Sequence, residues 1–401
     1  MKTIIAAAAV LAAGGAARAE EIALKPLADA RIRYEQADQE GLPDQSHALT
    51  LRLRGGLQAS SGRWSALAEA QGTLAAIDGY HDGLSGAATR PLVADPQSIG
   101  LYRAQIRYGS RALAVTAGRQ RIAIDDERFV GAIGFRDNGQ TFDAVRAEWT
   151  ALPRLKVDVS YAWSVRTIWG IDGRGARQQA VSGNNIFATI GYATPLGTIG
   201  GFTYLVDQNE AAVQGFALSS QTYGIRLAGS RPLSRAVKLS YLLSYARQSD
   251  WHRNPNDYRA DYHLADATLE IAALKVNLGY EMLGASHGAP LTSFQTPLAT
   301  GFKFQGWADK FLTTPPNGVR DLYAGAGYGW KKLAGLDLLS IQAAWHRFDS
   351  DRLDLHYGDE LDLLVTAKLG RTTISARYAD YRAKRLATDT RKFWLQADWI
   401  F

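Results

Sequence analysis

Along most of the chain, apolar and polar residues alternate with a period of two. In "KVDVSYAWSVR", with Leu155 just before it, Leu155, Val157, Val159, Tyr161, Trp163 and Val165 share one face, and Lys156, Asp158, Ser160, Ser164 and Arg166 the other. "HALTLRLRG" sets Leu49, Leu51 and Leu53 against Thr50, Arg52 and Arg54. Such alternation predicts strands with one apolar and one polar face. Eighteen segments read this way: 24–36, 46–60, 62–76, 98–110, 111–121, 139–151, 153–169, 184–195, 197–208, 218–231, 234–248, 258–272, 274–284, 318–331, 335–348, 356–369, 371–383 and 389–401. The connections alternate in kind. Tight ones ("SSG", "YGSR", "TPLG", "KKLAG", "LGR") take turns with longer ones, of which 77–97, 122–138, 170–183 and 285–317 are the most extended.

Short turns on one rim, long loops on the other and an even strand count describe an antiparallel up-and-down meander. No stretch approaches eighteen consecutive apolar residues, so a helical span is excluded. A sheet crosses hydrocarbon only if it closes, because each unpaired backbone amide there costs several kcal/mol. The pattern therefore predicts an all-β transmembrane barrel of about eighteen strands in a bacterial outer membrane. Short turns are expected at the periplasmic rim and long loops outside, with outer-membrane lipid against the apolar face. The closing "FWLQADWIF" fits: Phe393, Leu395, Ala397, Trp399 and Phe401 share the lipid parity. A terminal aromatic on the last strand resembles the signal by which barrel-assembly machinery recognises its clients. Tyr34, Trp64, Tyr102, Tyr108, Trp149, Trp163, Tyr192, Tyr245, Tyr328, Trp330, Trp345, Tyr378 and Trp399 also take outward parity, as interface girdles would.

Composition sharpens this. Residues 1–19 carry Lys2, an apolar run Ile4–Ala13 and Ala17-Arg18-Ala19, a secretory leader pattern. That leaves one barrel domain, residues 20–401. Losing Lys2 and Arg18 lowers the net charge from +6 to +4, too small to name a partner. There is no Cys and the seven His form no HExxH pair, so neither a disulfide scaffold nor a thiolate or zinc-protease site is expected. Mean hydropathy is −0.18, as a wall with one wet face should give.

Charge gathers on the inward parity. Arg31, Arg33, Arg52, Arg54, Arg103, Arg107, Arg146, Lys156, Arg166, Arg226, Lys238, Lys275, Lys368 and Arg377 stand against eight acids: Glu35, Glu69, Glu148, Asp158, Asp266, Glu270, Glu281 and Asp362. Rings of Arg and Lys favour anions. Cross-strand acids can equally brace the same cations.

Two stretches go beyond pattern, residues 117–149 and 293–328. Gly118-Arg119-Gln120, the Asp125–Phe129 loop, Asn138-Gly139-Gln140-Thr141-Phe142-Asp143 and Gly306-Trp307-Ala308-Asp309-Lys310-Phe311 resemble the alginate export porin family of outer-membrane proteins. The resemblance implies passive export of an anionic polysaccharide through a basic constriction, with no cofactor and no metal. Arg119, Arg128, Arg136, Lys303 and Lys310 lie in or beside these motifs. They join Arg31, Arg33, Arg52, Arg54, Arg103, Arg107, Arg146, Lys156 and Arg166 as the candidate pore lining. Loops 122–138 and 285–317 are candidates to narrow the pore or to cover its mouth. The periplasmic plug turn that the resemblance implies has no room at Lys368–Arg371.

Competing readings are a general or small-solute porin with structural lumen charges, and a barrel-embedded enzyme. "GASHG", Gly284–Gly288, matches G-x-S-x-G only formally, since the nucleophile elbow needs a strand-turn-helix setting. Asp125–Glu127 would suit Ca²⁺ by ligand type, or would pair with Arg128. Compartment and lumenal geometry speak against nucleic acid.

Overall fold

The computed structural model describes residues 21–401; the leader at 1–19 lies outside the described residues. Eighteen strands follow one another: β1 (Ala23–Gln39), β2 (Ser46–Ser61), β3 (Trp64–Gly79), β4 (Ser98–Gly109), β5 (Leu113–Gln120), β6 (Thr141–Trp149), β7 (Leu155–Arg166), β8 (Ala180–Thr194), β9 (Gly197–Val206), β10 (Ser220–Pro232), β11 (Val237–Asp250), β12 (Arg259–Ile271), β13 (Leu274–Leu283), β14 (Val319–Lys331), β15 (Leu338–Asp349), β16 (His356–Leu369), β17 (Thr372–Ala383) and β18 (Thr390–Ile400). Each pairs antiparallel with its sequence neighbours. β18 closes on β1 from Asp29 opposite Ile400 to Gln39 opposite Thr390, so the wall has no free edge. The predicted eighteen-strand meander is thus the observed one. β8 begins four residues early, at Ala180, because Gly183 lets the strand press on Asp207, whose carbonyl a Cβ would meet at 1.6 Å. β16 and β17 are joined through Gly370 and Arg371 alone, which leaves no plug there.

Large apolar side chains such as Leu53, Ile99, Ile225 and Leu278 stand exposed on the outer surface, where hydrocarbon is their solvent. Two outward expectations fail, both at bulges. The β3–β4 ladder passes from Glu69↔Arg103 to Ala70↔Leu101 and skips Tyr102. The extra residue turns that ring inward, buried, with the Arg54 guanidinium 4.0 Å from its centroid. Trp163 is likewise unpaired in both of its ladders, which moves Val165 from the lipid face to the lumen beside Phe142 and Phe187.

Candidate functional site

The lumen is partly filled by the two longest connections. Residues 121–140 leave the wall after Gly118, whose φ of +111° and 2.4 Å approach of an added Cβ to the Ala104 carbonyl require glycine. Residues 284–318, between β13 and β14, come in from the opposite wall. The two zip together. Val130 and Leu298 form a parallel bridge, Gly131 N–H donates to Leu298 O at 2.9 Å, and Thr300 N–H donates to Glu127 O at 3.0 Å. Thr300 Oγ1 accepts from Ile133 N–H at 3.0 Å and donates to Glu127 at 2.6 Å. Both loops therefore fold inward.

Aromatic rings anchor them. Phe129 sits among Phe202, Tyr204, Tyr262 and Phe294 at centroid distances of 5.1–5.9 Å. Phe135 stacks on Phe302, and both rings meet Trp394 of β18 edge-on. Beneath this layer two cavities face the rim of short turns. The larger, about 1050 Å³, is lined by Glu270, Lys275, Asn277 and Gln342 and reaches Trp307 and Asp362. The other, about 630 Å³, is lined by Arg146, Lys156, Asp158 and Arg226, with Ile124 and Asp125 from the loop.

The candidate cations divide by partner. Around the loop tip, Arg33 reaches Asp95 at 2.5 Å and Asp137 at 3.4 Å, and Arg31 reaches Asp398 at 2.7 Å and Asp137 at 3.5 Å. Arg52 pairs with Asp29. Arg136 spans Glu35 (3.4 Å), Asp95 (3.3 Å) and Asp309 (2.8 Å). Arg31 and Arg33 also donate to the Phe135 carbonyl, which locks the tip to β1. Arg128 holds Glu281 at 2.6 Å, both deeply buried. Arg103 pairs with Glu69, Arg107 with Glu148, Arg119 with Asp143, Arg146 with Asp158, Lys156 with Glu148 at 3.9 Å and Lys303 with Glu127 at 2.5 Å. Among the described residues, Arg54, Arg166 and Lys310 have no carboxylate within 4.0 Å. Arg54 donates instead to Gln71 at 2.7 Å, and Lys310 to Gln39 at 3.2 Å.

Two candidates do not face the lumen. Arg119 lies opposite Ala104, on the outward parity of Ile106. Arg166 is carried outward by the extra residue at Trp163, so that it stands opposite Thr141 while Val165 points in. The mid-lumen is thus a buried, largely paired network. Open cations remain towards the short-turn rim. There Arg107, Lys156, Lys238 and Lys275 are 42–64 % exposed and share two acids, Glu148 and Glu270. The loop carboxylates Asp95, Asp137 and Asp309 escaped the sequence reading. Two of them sit within its motif stretches, but nothing in linear order ties residue 33 to 95 and 137.

The enzyme and Ca²⁺ alternatives gain no geometry. His287 Nδ1 lies 3.2 Å from Ser286 Oγ on a surface loop without an elbow. Asp125 and Asp126 face Arg226 at 3.4 and 3.0 Å, while Glu127 serves Lys303.

The loop charges have uneven titration. Burial works against Asp95 and Asp309 being ionised, yet Arg33 and Arg136 for the one, and Lys392 and Arg136 for the other, hold both below the usual carboxylate range. Lys310 goes the other way: burial first, then the like charge of Lys392, push it down to about 8. It should therefore lose its proton between pH 7 and 9, removing one positive charge from the lumen. Anion preference in planar bilayers is expected to fall over that window, and Lys310→Gln to flatten the dependence. An unchanged slope in the variant would put the titrating group elsewhere.

A family model described as alginate export matches residues 25–301. No protein with a curated description matches the chain. Among solved structures, OccAB3 of Acinetobacter baumannii superimposes with a TM-score of 0.68 at 14% identity, over 94% of this chain and 99% of that one. OccAB4 of the same organism gives 0.70 at 12%, over 96% and 99%. OpdK of Pseudomonas aeruginosa, solved with vanillate, gives 0.67 at 12%, over 94% and 98%.

Proposed function

The chain belongs to the alginate export family and is a porin-type barrel of the bacterial outer membrane; from that premise we propose a passive, anion-selective channel. Its cargo is an anionic oligo- or polysaccharide of the alginate kind, entering from the periplasmic rim. One observation carries the reading: four water-exposed cations share two acids in the periplasmic half of the lumen. A low-dielectric wall focuses such a field and raises the local anion concentration. Lys156, Lys238 and Lys275 act as flexible point charges that exchange hydration and counterions with a passing carboxylate. Arg107 adds a planar donor fork. The buried arginines of the loop tip hold the constriction in shape. No energy source is implied, so flux follows a gradient.

Reversal potentials in planar bilayers test this. The barrel should pass chloride in preference to potassium, and Lys156→Gln/Lys238→Gln/Lys275→Gln should abolish that preference without altering the fold. Wild-type protein that carries the two ions equally would sink the reading.

A second reading, small organic anions as cargo, draws on the zipped loops that fill the mid-lumen and on the vanillate, an aromatic carboxylate, in OpdK. Current block separates the two. Oligouronates that block from the periplasmic side more strongly than monomers favour the polymer, and monomer block alone favours the small anion.

A further inference from the structure

On the outside of the wall, towards the long-loop rim, the upper part of β4 lacks a neighbour on one side. The chain after β5 dives into the lumen, so β4 pairs with β5 only over Ala104–Gly109. The 167–179 connection lies over the gap. Ile171 N–H donates to Ser98 Oγ at 3.2 Å, and Arg177 donates to Gly83 O at 2.7 Å. Two features result side by side, with Ser98 and Ile171 common to both.

One is an apolar hollow of about 490 Å³ on the lipid face, bounded by Leu53, Leu74, Ile99 and Ile171, with Asp172 at its loop edge. Gly72 stands opposite both Leu53 and Ile99 in the ladders, so the wall lacks a side chain between them. The other is a notch holding Arg119 and Arg166. Arg119 is spent on Asp143, at 2.8 and 3.0 Å, and on the Leu101 carbonyl at 3.2 Å. The Arg166 guanidinium donates no hydrogen bond to a described residue, while its backbone is paired with Thr141 and Ala180 in the ladders. It lies three residues beyond Trp163, an outward-facing ring at the height where aromatics mark the interface.

We propose that notch and hollow together hold one phosphate-bearing lipid of the outer leaflet, its phosphate on Arg166 and one acyl chain over Gly72. Asp143 takes up Arg119, which leaves the Arg166 guanidinium fork to match a phosphate's oxygens, with Asp172 set at the hollow's loop edge. The continuous apolar hollow selects a lipid over a free anion. Arg119 and Arg166 take outward parity, while Tyr102 and Asn138 close the notch from the lumen side.

Native mass spectrometry of the full-length barrel in a nonionic detergent tests it. The probes are lipid A carrying both phosphates, the same lipid dephosphorylated, and inorganic phosphate. The phosphorylated lipid should be retained and the dephosphorylated form lost. Arg166→Gln, at a partly exposed strand end, and Gly72→Phe should each cut retention several-fold. A Cβ at position 72 meets nothing within 4 Å, so Gly72→Phe fills the hollow with the backbone and both charges untouched. Equal retention of the dephosphorylated lipid, unchanged retention in the folded variants, or displacement of the lipid by equimolar inorganic phosphate would each overturn the assignment.

Discussion

Replacing residues 121–140 by an Asn-Gly turn is expected to raise single-channel conductance several-fold while the barrel still assembles. Gln120 and Phe142 already face each other across the β5–β6 ladder, so Asn-Gly followed by Thr141 closes the hairpin as a three-residue loop. None of the eighteen strand pairings uses the excised residues. What leaves is the layer that crosses the lumen: Phe129 among its four rings, Phe135 on Phe302, and the zip to 284–318. Glu35, Asp95, Glu281 and Asp309 then lose partners, but water entering the widened lumen solvates them, so the usual cost of an orphaned buried charge does not arise. Anion preference should shrink less than conductance grows, because Lys156, Lys238 and Lys275 remain. Conductance equal to wild type would mean that the passage avoids this loop.

How far the sequence reached depended on the range of the interaction. Strand number and the two kinds of connection were legible because lipid outside and water inside write themselves into every second residue. Where one extra residue entered a strand, at Tyr102 and at Trp163, the alternation inverted and Tyr102, Val165 and Arg166 came out on the other face. A bulge leaves no mark in parity until the partner strand is known. Lumen charge was legible as composition but not as field. Arg33 looks open beside its strand neighbours, and only the inward loops bring Asp95 and Asp137 to it. Lys156, Lys238 and Lys275 take their partners, Glu148 and Glu270, from neighbouring strands, so their surroundings follow from parity without the loops.

Arg136→Leu should loosen the constriction without unfolding the barrel, and its partners say which charge is responsible. Asp95 keeps Arg33 at 2.5 Å and Asp309 keeps Lys392 at 2.8 Å. Glu35 has no other ion pair among the described residues, and its Oε1 already lacks a hydrogen bond. The substitution thus strands one carboxylate at the back of the loop tip. Removing one partner of a buried pair costs about 3–5 kcal/mol, more than the cation–π contacts of Phe135 with Arg33 and Arg377, at about 0.5–2 kcal/mol each, readily offset. The tip around Phe135 should leave β1, giving a noisy channel with larger open steps and new protease cleavage within 121–140. Glu35→Gln in the same chain removes the stranded charge and should restore most of the quiet, closed-down behaviour, whereas Asp95→Asn should not, since it takes a partner from Arg33. Equal rescue by both would show that total charge, rather than the Glu35–Arg136 contact, holds the loop.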